Sequence, residues 1–296
     1  VSGAESADDE SLAILEKAAT ISGLDPARAQ LVRAGSNTIY RIGEIIARIG
    51  KRGTADAARR ELRVSQWLNE SGLPAVQIAD LETPLVVVDD RPITWWQRIP
   101  NHRAATPAEL ATTLARLHVL APPQAFALPQ YEPFSGLLSV ITTTGRLTDA
   151  DRAWLREQHD TLHNRYSELV PPVRETVIHG DAWQGNLAVP VGKDPIIIDL
   201  DRVSLSRPEW DLIQIAADRN DFDRLSDADY QAFVDAYGAD ITIDPAFRLL
   251  ADIQELRWTV FALSRSDIST DAAHEVQHRI ACLRGEISRP WRWNAL

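Results

Sequence analysis

Apolar positions along this chain follow two regimes. From Gln30 to Ile99 they come in short β-rich runs, Leu31-Val32, Thr38 to Ile42, Ile45 to Ile49, Leu85 to Val88 and Pro92 to Ile99. Turn-forming groups separate them: Gly35-Ser36-Asn37, Gly43-Glu44 and Asp89-Asp90-Arg91. Runs of this length between turns predict a small antiparallel sheet. One helix, about Ala55 to Glu70, interrupts it. Ahead of the sheet, Leu12, Leu15, Ala19 and Ile21 fall near helical spacing and predict a first helix over Ser11 to Ser22. Residues 1 to 9 are small and acidic and read as a loose tail.

Beyond Pro100-Asn101 the period becomes helical. Thr106-Pro107-Ala108-Glu109 combines a cap residue, proline in the first turn and glutamate three positions after the cap, and Leu110, Leu114 and Leu117 carry the stripe on to His118. Asp149 to Leu169 predicts a long helix stopped by Pro171-Pro172, and further helices are expected near 208–218, 228–237, 246–264 and 270–287. His118 reads as a buried, hydrogen-bonded histidine. The segment 121–148, rich in Pro, Gly and Thr, takes no assignment. The change of period places a boundary at the hinge Gln97 to Asn101, giving units of 1–99 and 100–296.

The densest polar chemistry lies between His179 and Asp211. Thr176-Val177-Ile178 leads into His179-Gly180-Asp181, Asn186 follows, and Ile196-Ile197-Ile198 leads into Asp199. Two short buried strands would deliver two carboxylates to neighbouring ends, with an amide oxygen between them. Such a set suits a hard divalent cation, Mg²⁺, which prefers oxygen and brings nucleotide phosphates with it. Each Asp alone is equally at home in a turn; the joint spacing favours phosphoryl transfer.

These residues resemble the catalytic and metal-binding segments of the aminoglycoside phosphotransferase and choline kinase-like superfamily, a branch of the protein-kinase-like fold. The resemblance implies an α+β, bilobal protein-kinase-like fold with a small antiparallel-sheet N-lobe and a mostly helical C-lobe. It implies ATP as phosphoryl donor and Mg²⁺ as metal. Asp181 would orient or deprotonate the acceptor hydroxyl, Asn186 and Asp199 would hold the metal, His179 would pack the loop, and Asp211 would brace it from the next helix. Gly35, Ser36, Asn37 and Thr38 would form the turn over the phosphates, although a plain hairpin turn reads the same way. Arg48 stands where family members often carry the phosphate-contacting Lys, and Glu61 matches its acidic partner; the alternative is an exposed Arg48 and a solvated Glu61. Trp96 would be the gatekeeper, with the backbone of Gln97 and Ile99 along the adenine edge, while Trp95 and Trp96 equally suit core positions on alternating faces.

Composition narrows the classes. The 45% apolar content is that of an ordinary globular protein. No apolar run approaches membrane-spanning length, so the chain is expected to be soluble and cytoplasmic. The single cysteine, Cys282, agrees with a reducing compartment and reads as a small buried hydrophobe. A formal net charge of −11 argues against a nucleic-acid surface and is compatible with a cationic acceptor. Asp252 and Glu255 share a helix face with Arg248, and Asp218, Asp221 and Asp223 precede them. They form either a solvated face or an acidic ring for an amine. The expected activity is phosphorylation of a small molecule's hydroxyl: an aminoglycoside, amino sugar or amino alcohol. The alternative is a pseudokinase or nucleotide-sensing module of the same fold. The sequence leaves the acceptor and the oligomeric state open.

Overall fold

The computed structural model describes residues 2–33, 37–169, 175–267 and 269–295. In chain order they form α1 (Ser2–Ile21), β1 (Ala29–Arg33), β2 (Thr38–Ile42), β3 (Ile45–Ile49), α2 (Ala55–Glu70), β4 (Leu85–Val88), β5 (Arg91–Gln97) and β6 (His102–Ala104). Next come α3 (Pro107–His118), α4 (Leu137–Thr143), α5 (Asp149–Ser167), β7 (Thr176–Ile178), β8 (Leu187–Pro190), β9 (Ile196–Ile197) and β10 (Ser204–Ser206). The chain closes with α6 (Glu209–Asn220), α7 (Asp227–Tyr237), α8 (Phe247–Arg265) and α9 (Thr270–Leu283). No described helix is long and apolar enough to cross a membrane. Contacts divide the chain into two compact units, residues 1–105 with 185–203, and residues 106–184 with 204–296.

The first unit is built on a five-stranded antiparallel sheet in the order β1-β2-β3-β5-β4. Alternation does the sorting: along β2, Thr38, Tyr40 and Ile42 are buried while Ile39 and Arg41 are less so. Tyr40, Ile42, Ala47, Ile49, Val86, Val88, Ile93 and Trp95 pack with Ile14, Leu15, Ala18 and Ala19 of α1 into one apolar core. α1 begins at Ser2, so residues 2–9 extend the helix rather than forming the expected loose tail. α2 packs against β5 and against the 3-10 turn Leu200–Arg202. A second, three-stranded sheet, β6-β8-β9, completes this unit. β6 and β8, only three and four residues long, carry too little pattern to stand out in the sequence.

The second unit is helical apart from the β7/β10 ladder, which pairs Ile178 with Ser204 and Thr176 with Ser206. α8 lies at its centre, touching α4, α5, α6 and α9, which explains why its apolar residues do not form a single stripe. After α9 the chain returns and adds Trp291 and Trp293 to a cluster with Phe222 and Trp258. Cys282 is buried against this cluster, as the sequence suggested. The unassigned segment 121–148 contains α4.

α3 starts on a reciprocal cap. Glu109 N donates to Thr106 Oγ1 at 3.3 Å, and Thr106 N donates to Glu109 Oε2 at 2.7 Å. Since α3 supports β7 and packs against α7, loss of the cap propagates to neighbouring elements. Thr106→Ala should lower the unfolding free energy by about 1 kcal/mol, read as a lower urea midpoint with unchanged slope.

Candidate active site

In the helical unit, β7 ends at Ile178 and the chain turns through Gly180, whose φ of 78° suits a residue without Cβ. The turn is held from α6. Asp211, 1% exposed, accepts from His179 N at 2.6 Å and from Gly180 N at 2.8 Å. A buried carboxylate must be satisfied on several sides, and a third partner comes from α3: His118 Nε2 lies 3.1 Å from Asp211 Oδ2. As the neutral tautomer with its proton on Nε2, His118 donates to Asp211. Its Nδ1 then accepts from Tyr237 Oη at 2.8 Å. Burial, with Asp211 and Glu209 nearby, pushes the Tyr237 hydroxyl up to about 12, so it remains the donor. His179 is 2% exposed, and its Nδ1 accepts from Asp181 N at 3.3 Å. His118 and Asp211 therefore take the positions expected of them, and the loop that carries the partly exposed Asp181 is fixed through its backbone.

In the sheet unit, Arg48 of β3 gathers four partners. Its Nη1 donates to Glu61 Oε1 of α2, and its Nη2 donates to Asp199 Oδ1 at 3.1 Å and to Asp201 Oδ2 at 3.0 Å. With the Asn37 side-chain oxygen turned toward the guanidinium, it accepts from Nε at 3.0 Å and Nη2 at 2.6 Å. Arg48 and Glu61 are thus a buried pair, with side chains 14% and 7% exposed, rather than a solvated one. A lysine ammonium has neither the fork nor the reach to serve such a set. Burial works against the Arg48 charge, but Glu61, Asp199 and Asp201 outweigh it and hold its pKa above the ordinary value. The Glu61 carboxyl is pushed up to about 7 by burial, against the pull of Arg48 and with Asp201 and Asp199 adding to the rise.

Asn186 and Asp199 meet at one end of the β8/β9 pair. Leu187 faces Ile197 in the ladder, and Ile198 N donates to the Asn186 carbonyl at 3.0 Å. Asn186 is 6% exposed, whereas the Asp199 side chain is 43% exposed. Asp199 holds φ 59° and ψ 60°. That left-handed conformation is costly for a residue with a Cβ and is more readily tolerated by Asp and Asn. The strands leading into Asp181 and Asp199 belong to different sheets, β7 with β10 and β9 with β8. Among the described residues no group of three His, Cys, Asp or Glu could cage a metal ion.

Thr38 is buried at the start of β2, while Gly35 and Ser36 lie outside the described residues. Trp96 is 4% exposed, on the face opposite Trp95, and its Nε1 donates to Thr94 Oγ1 at 2.8 Å. Backbone groups of the hinge are engaged within the unit, Arg98 N donating to the Glu44 carbonyl at 2.9 Å among them. Gln97 N donates to the Gln77 carbonyl at 2.8 Å, and the Ile99 carbonyl lies 2.9 Å from His102 Nδ1. Of the acids singled out in α6 to α8 and between them, Asp223 is exposed, and the other four are paired with arginines. Arg248 binds Asp221, Asp252 and Glu255, Arg289 binds Asp221 and Glu255, and Arg224 binds Asp218. Asp201 is the residue that sequence reasoning missed. Its signal is the Asp199-Leu200-Asp201 triplet, two acids flanking a leucine that is 1% exposed.

The family model for the phosphotransferase enzyme family matches residues 29–252. No curated protein sequence matches the chain. Among solved structures it is similar to the amicoumacin kinase hAmiN in complex with AMP-PNP, Ca2+ and Ami, with 12% identity, a TM-score of 0.73 and 93% of each chain covered. It is also similar to the choline kinase LicA from Streptococcus pneumoniae, at 14% identity and TM-score 0.66, over 93% of this chain and 98% of that one. An aminoglycoside phosphotransferase from Streptomyces rimosus shares 20% identity at TM-score 0.63, over 84% of this chain and 97% of its own. At these identities the likeness is one of fold: the α+β arrangement, with its antiparallel sheet followed by a mostly helical part, is that of kinase-like phosphotransferases.

Two measurements test the supports. Asp211→Ala strands two buried backbone donors, each worth about 1–3 kcal/mol; urea unfolding should show a loss of about 2–5 kcal/mol, and exchange at the Gly180 amide should accelerate. A loss within error of zero would remove Asp211 as the brace. For Glu61, the folded pKa is raised above the unfolded value. Its contribution to stability is therefore complete below pH 4.5 and is lost as pH rises through about 7. The melting temperature of the wild type minus that of Glu61→Gln should accordingly shrink between pH 5 and pH 8. A difference that grows with pH would show that the ionised pair, not burial, dominates.

Proposed function

The chain belongs to the phosphotransferase enzyme family, and we propose that it transfers the γ-phosphoryl group of ATP to a hydroxyl group of a small molecule. The observation that supports this reading most directly is the set of charges around Arg48. One guanidinium faces three carboxylates, Glu61, Asp199 and Asp201, so carboxylates outnumber the cation and negative charges are left over. A divalent cation would balance them. With Asn186 beside Asp199 in the β8/β9 pair, the donors are oxygens few enough to leave several positions for water and phosphate, which suits Mg²⁺ rather than a metal caged wholly by protein. Bound there, the ion would supply charge neutralisation for the phosphates.

Arg48 then does two things. It holds Asp199 and Asp201 at a defined spacing, and its guanidinium is the group that nucleotide phosphates would share. Glu61 fixes the orientation of Arg48 without touching substrate. Asn37 binds the same guanidinium, so the turn that begins β2 and the phosphate-contacting residue are coupled. Trp96, Gln97 and Ile99 are assigned to the adenine end, with Thr38 at the phosphate end.

The helical unit supplies the group that receives the acceptor's proton. Asp181 sits on a loop whose preceding two amides are tied to Asp211, so its backbone is anchored before substrate arrives. In the transfer, the acceptor oxygen bonds to the γ-phosphorus while the bond from that phosphorus to the bridging oxygen breaks. ADP departs, and the hydroxyl proton passes to the Asp181 carboxylate. The transition state is loose in most analyses, so placing the hydroxyl matters more than its early deprotonation.

The test combines two variants with a screen of hydroxylated acceptors, scored by ADP release above the acceptor-free rate. Asp181→Asn should lower turnover by roughly 10²- to 10⁴-fold with little change in Mg²⁺-ATP affinity. Asp199→Ala should weaken Mg²⁺-ATP binding far more than adenosine binding. Wild-type transfer by Asp181→Asn would sink the role given to that residue. A nucleotide that binds but is never transferred to any acceptor would favour the non-catalytic alternative.

A further inference from the structure

Several arginines in this chain are matched by carboxylates. Arg48 faces three, Arg248 binds Asp221, Asp252 and Glu255, Arg279 pairs with Glu275 at 2.8 Å, and Arg289 bridges Asp221 and Glu255. Arg257 of α8 is held by neutral side chains instead. Its Nη1 donates to the Tyr131 hydroxyl and, at 3.0 Å, to Gln254 Oε1, and its guanidinium carbon lies 5.1 Å from the centre of the Tyr131 ring. These partners are neutral, and among the described residues no carboxylate forms an ion pair with Arg257. Burial alone pushes the guanidinium down to about 10, with no opposing charge to lift it. A cation taken from water without a countercharge is costly, so the arrangement calls for a negative partner from outside the chain.

The location gives that partner a role. Tyr131 packs on Trp210 at a ring separation of 5.2 Å, and Trp210 precedes Asp211, the carboxylate that fixes the loop of Asp181. Tyr131 N also donates to the Leu205 carbonyl at 3.0 Å, and Leu205 pairs with Val177 in the strand that leads into that loop. Two chains of contact within the helical unit therefore join Arg257 to the segment carrying Asp181. Because Tyr131 and Gln254 both occupy Nη1, the Nε and Nη2 edge has no partner among the described residues, and neither nitrogen is sealed from solvent. That edge presents two parallel N–H groups, the geometry that receives both oxygens of a carboxylate or two oxygens of a phosphate.

The geometry points to Arg257, set by Tyr131 and Gln254, as the binding site for an oxyanion carried by the acceptor, a carboxylate or a phosphate ester. The acceptor is then a hydroxylated anion, not the amine suggested by the acidic composition, and four of the acids that would have bound an amine, Asp218, Asp221, Asp252 and Glu255, are already paired with Arg224, Arg248 and Arg289. Assigning the oxyanion to the acceptor rests on the phosphotransferase reading; the anion site itself does not.

The experiment measures binding to the full chain by calorimetry at constant ionic strength. 3-Hydroxybutyrate and glycerol 3-phosphate are the anionic probes, and glycerol is the neutral control. The wild type should bind one or both anions and not glycerol, with the preferred anion identifying the group. Arg257→Gln should bind them at least tenfold more weakly, the loss expected for a charge-assisted bidentate contact. Arg257→Lys should recover part of the affinity, since it keeps the charge and loses the fork. In the absence of anion, Arg257→Gln should melt no lower than the wild type, because it removes an uncompensated buried charge. The site is overturned if the wild type treats the anions like glycerol, if Arg257→Gln binds them as the wild type does, or if Arg257→Gln fails to fold or melts lower, which would make the arginine structural. AMP-PNP affinity, measured alongside, separates the two readings. If it is intact in the wild type while the anions fail to bind, the anion site falls and the kinase reading stands.

Discussion

A charge removed from water has to be answered by another charge or by hydrogen bonds, and most of what is specific in this protein is an answer to that demand. Arg48 sits on a strand otherwise filled by Ile45, Ile46, Ala47 and Ile49. Placing a guanidinium there forces a carboxylate onto the helix that covers it, and Glu61 is that carboxylate. Breaking such a pair by removing one partner leaves the other uncompensated, commonly at a cost of about 3–5 kcal/mol. The position of α2, and with it the turn at Leu200 to Arg202 against which it packs, is tied to this one contact. Asp199 and Asp201 flank Leu200 in that turn, and both reach the same guanidinium.

Around the loop of Asp181 the demand is met by hydrogen bonds. Asp211 is 1% exposed, and its partners are two backbone amides and the imidazole of His118. Hydrogen bonds to an ionised group are among the stronger ones available, and here they are spent on the backbone of a loop rather than on a side chain. The result is a turn whose shape depends on α6 and α3 together. It explains why the histidine before Gly180 is buried and why His118, from a helix far away in sequence, belongs to the same construction.

Farther from that loop, Asp221, Asp252 and Glu255 are matched by Arg248 and Arg289, and Glu275 by Arg279. Burial pushes the Glu255 carboxyl up to about 8 even so, with Arg248 and Arg289 pulling the other way. Acidic composition therefore says little about what this protein binds. Much of the acidity of α6 to α8 is internal, already opposed by arginine, whereas around Arg48 the carboxylates outnumber the guanidinium.

The sequence by itself determined much of the local structure and singled out the candidate site residues. Alternation and turn residues marked β2, β3, β4 and β5, the cap at Thr106 marked the start of α3, and α2 falls where its helical pattern placed it. These features are local, set by neighbours a few residues apart. The pairing of Arg48 with Glu61 was legible because the resemblance supplied the partner, not because the spacing did. Tertiary structure decided the rest. Asp201 joining Arg48, His118 joining Asp211 and Arg257 left without a carboxylate depend on which distant elements are brought together, and no periodicity encodes that. The segment 185–203 packing with the first 105 residues is of the same kind. So are the short strands β6, β8 and β10, which exist because a partner strand satisfies their backbone groups, a condition met only once the chain has folded.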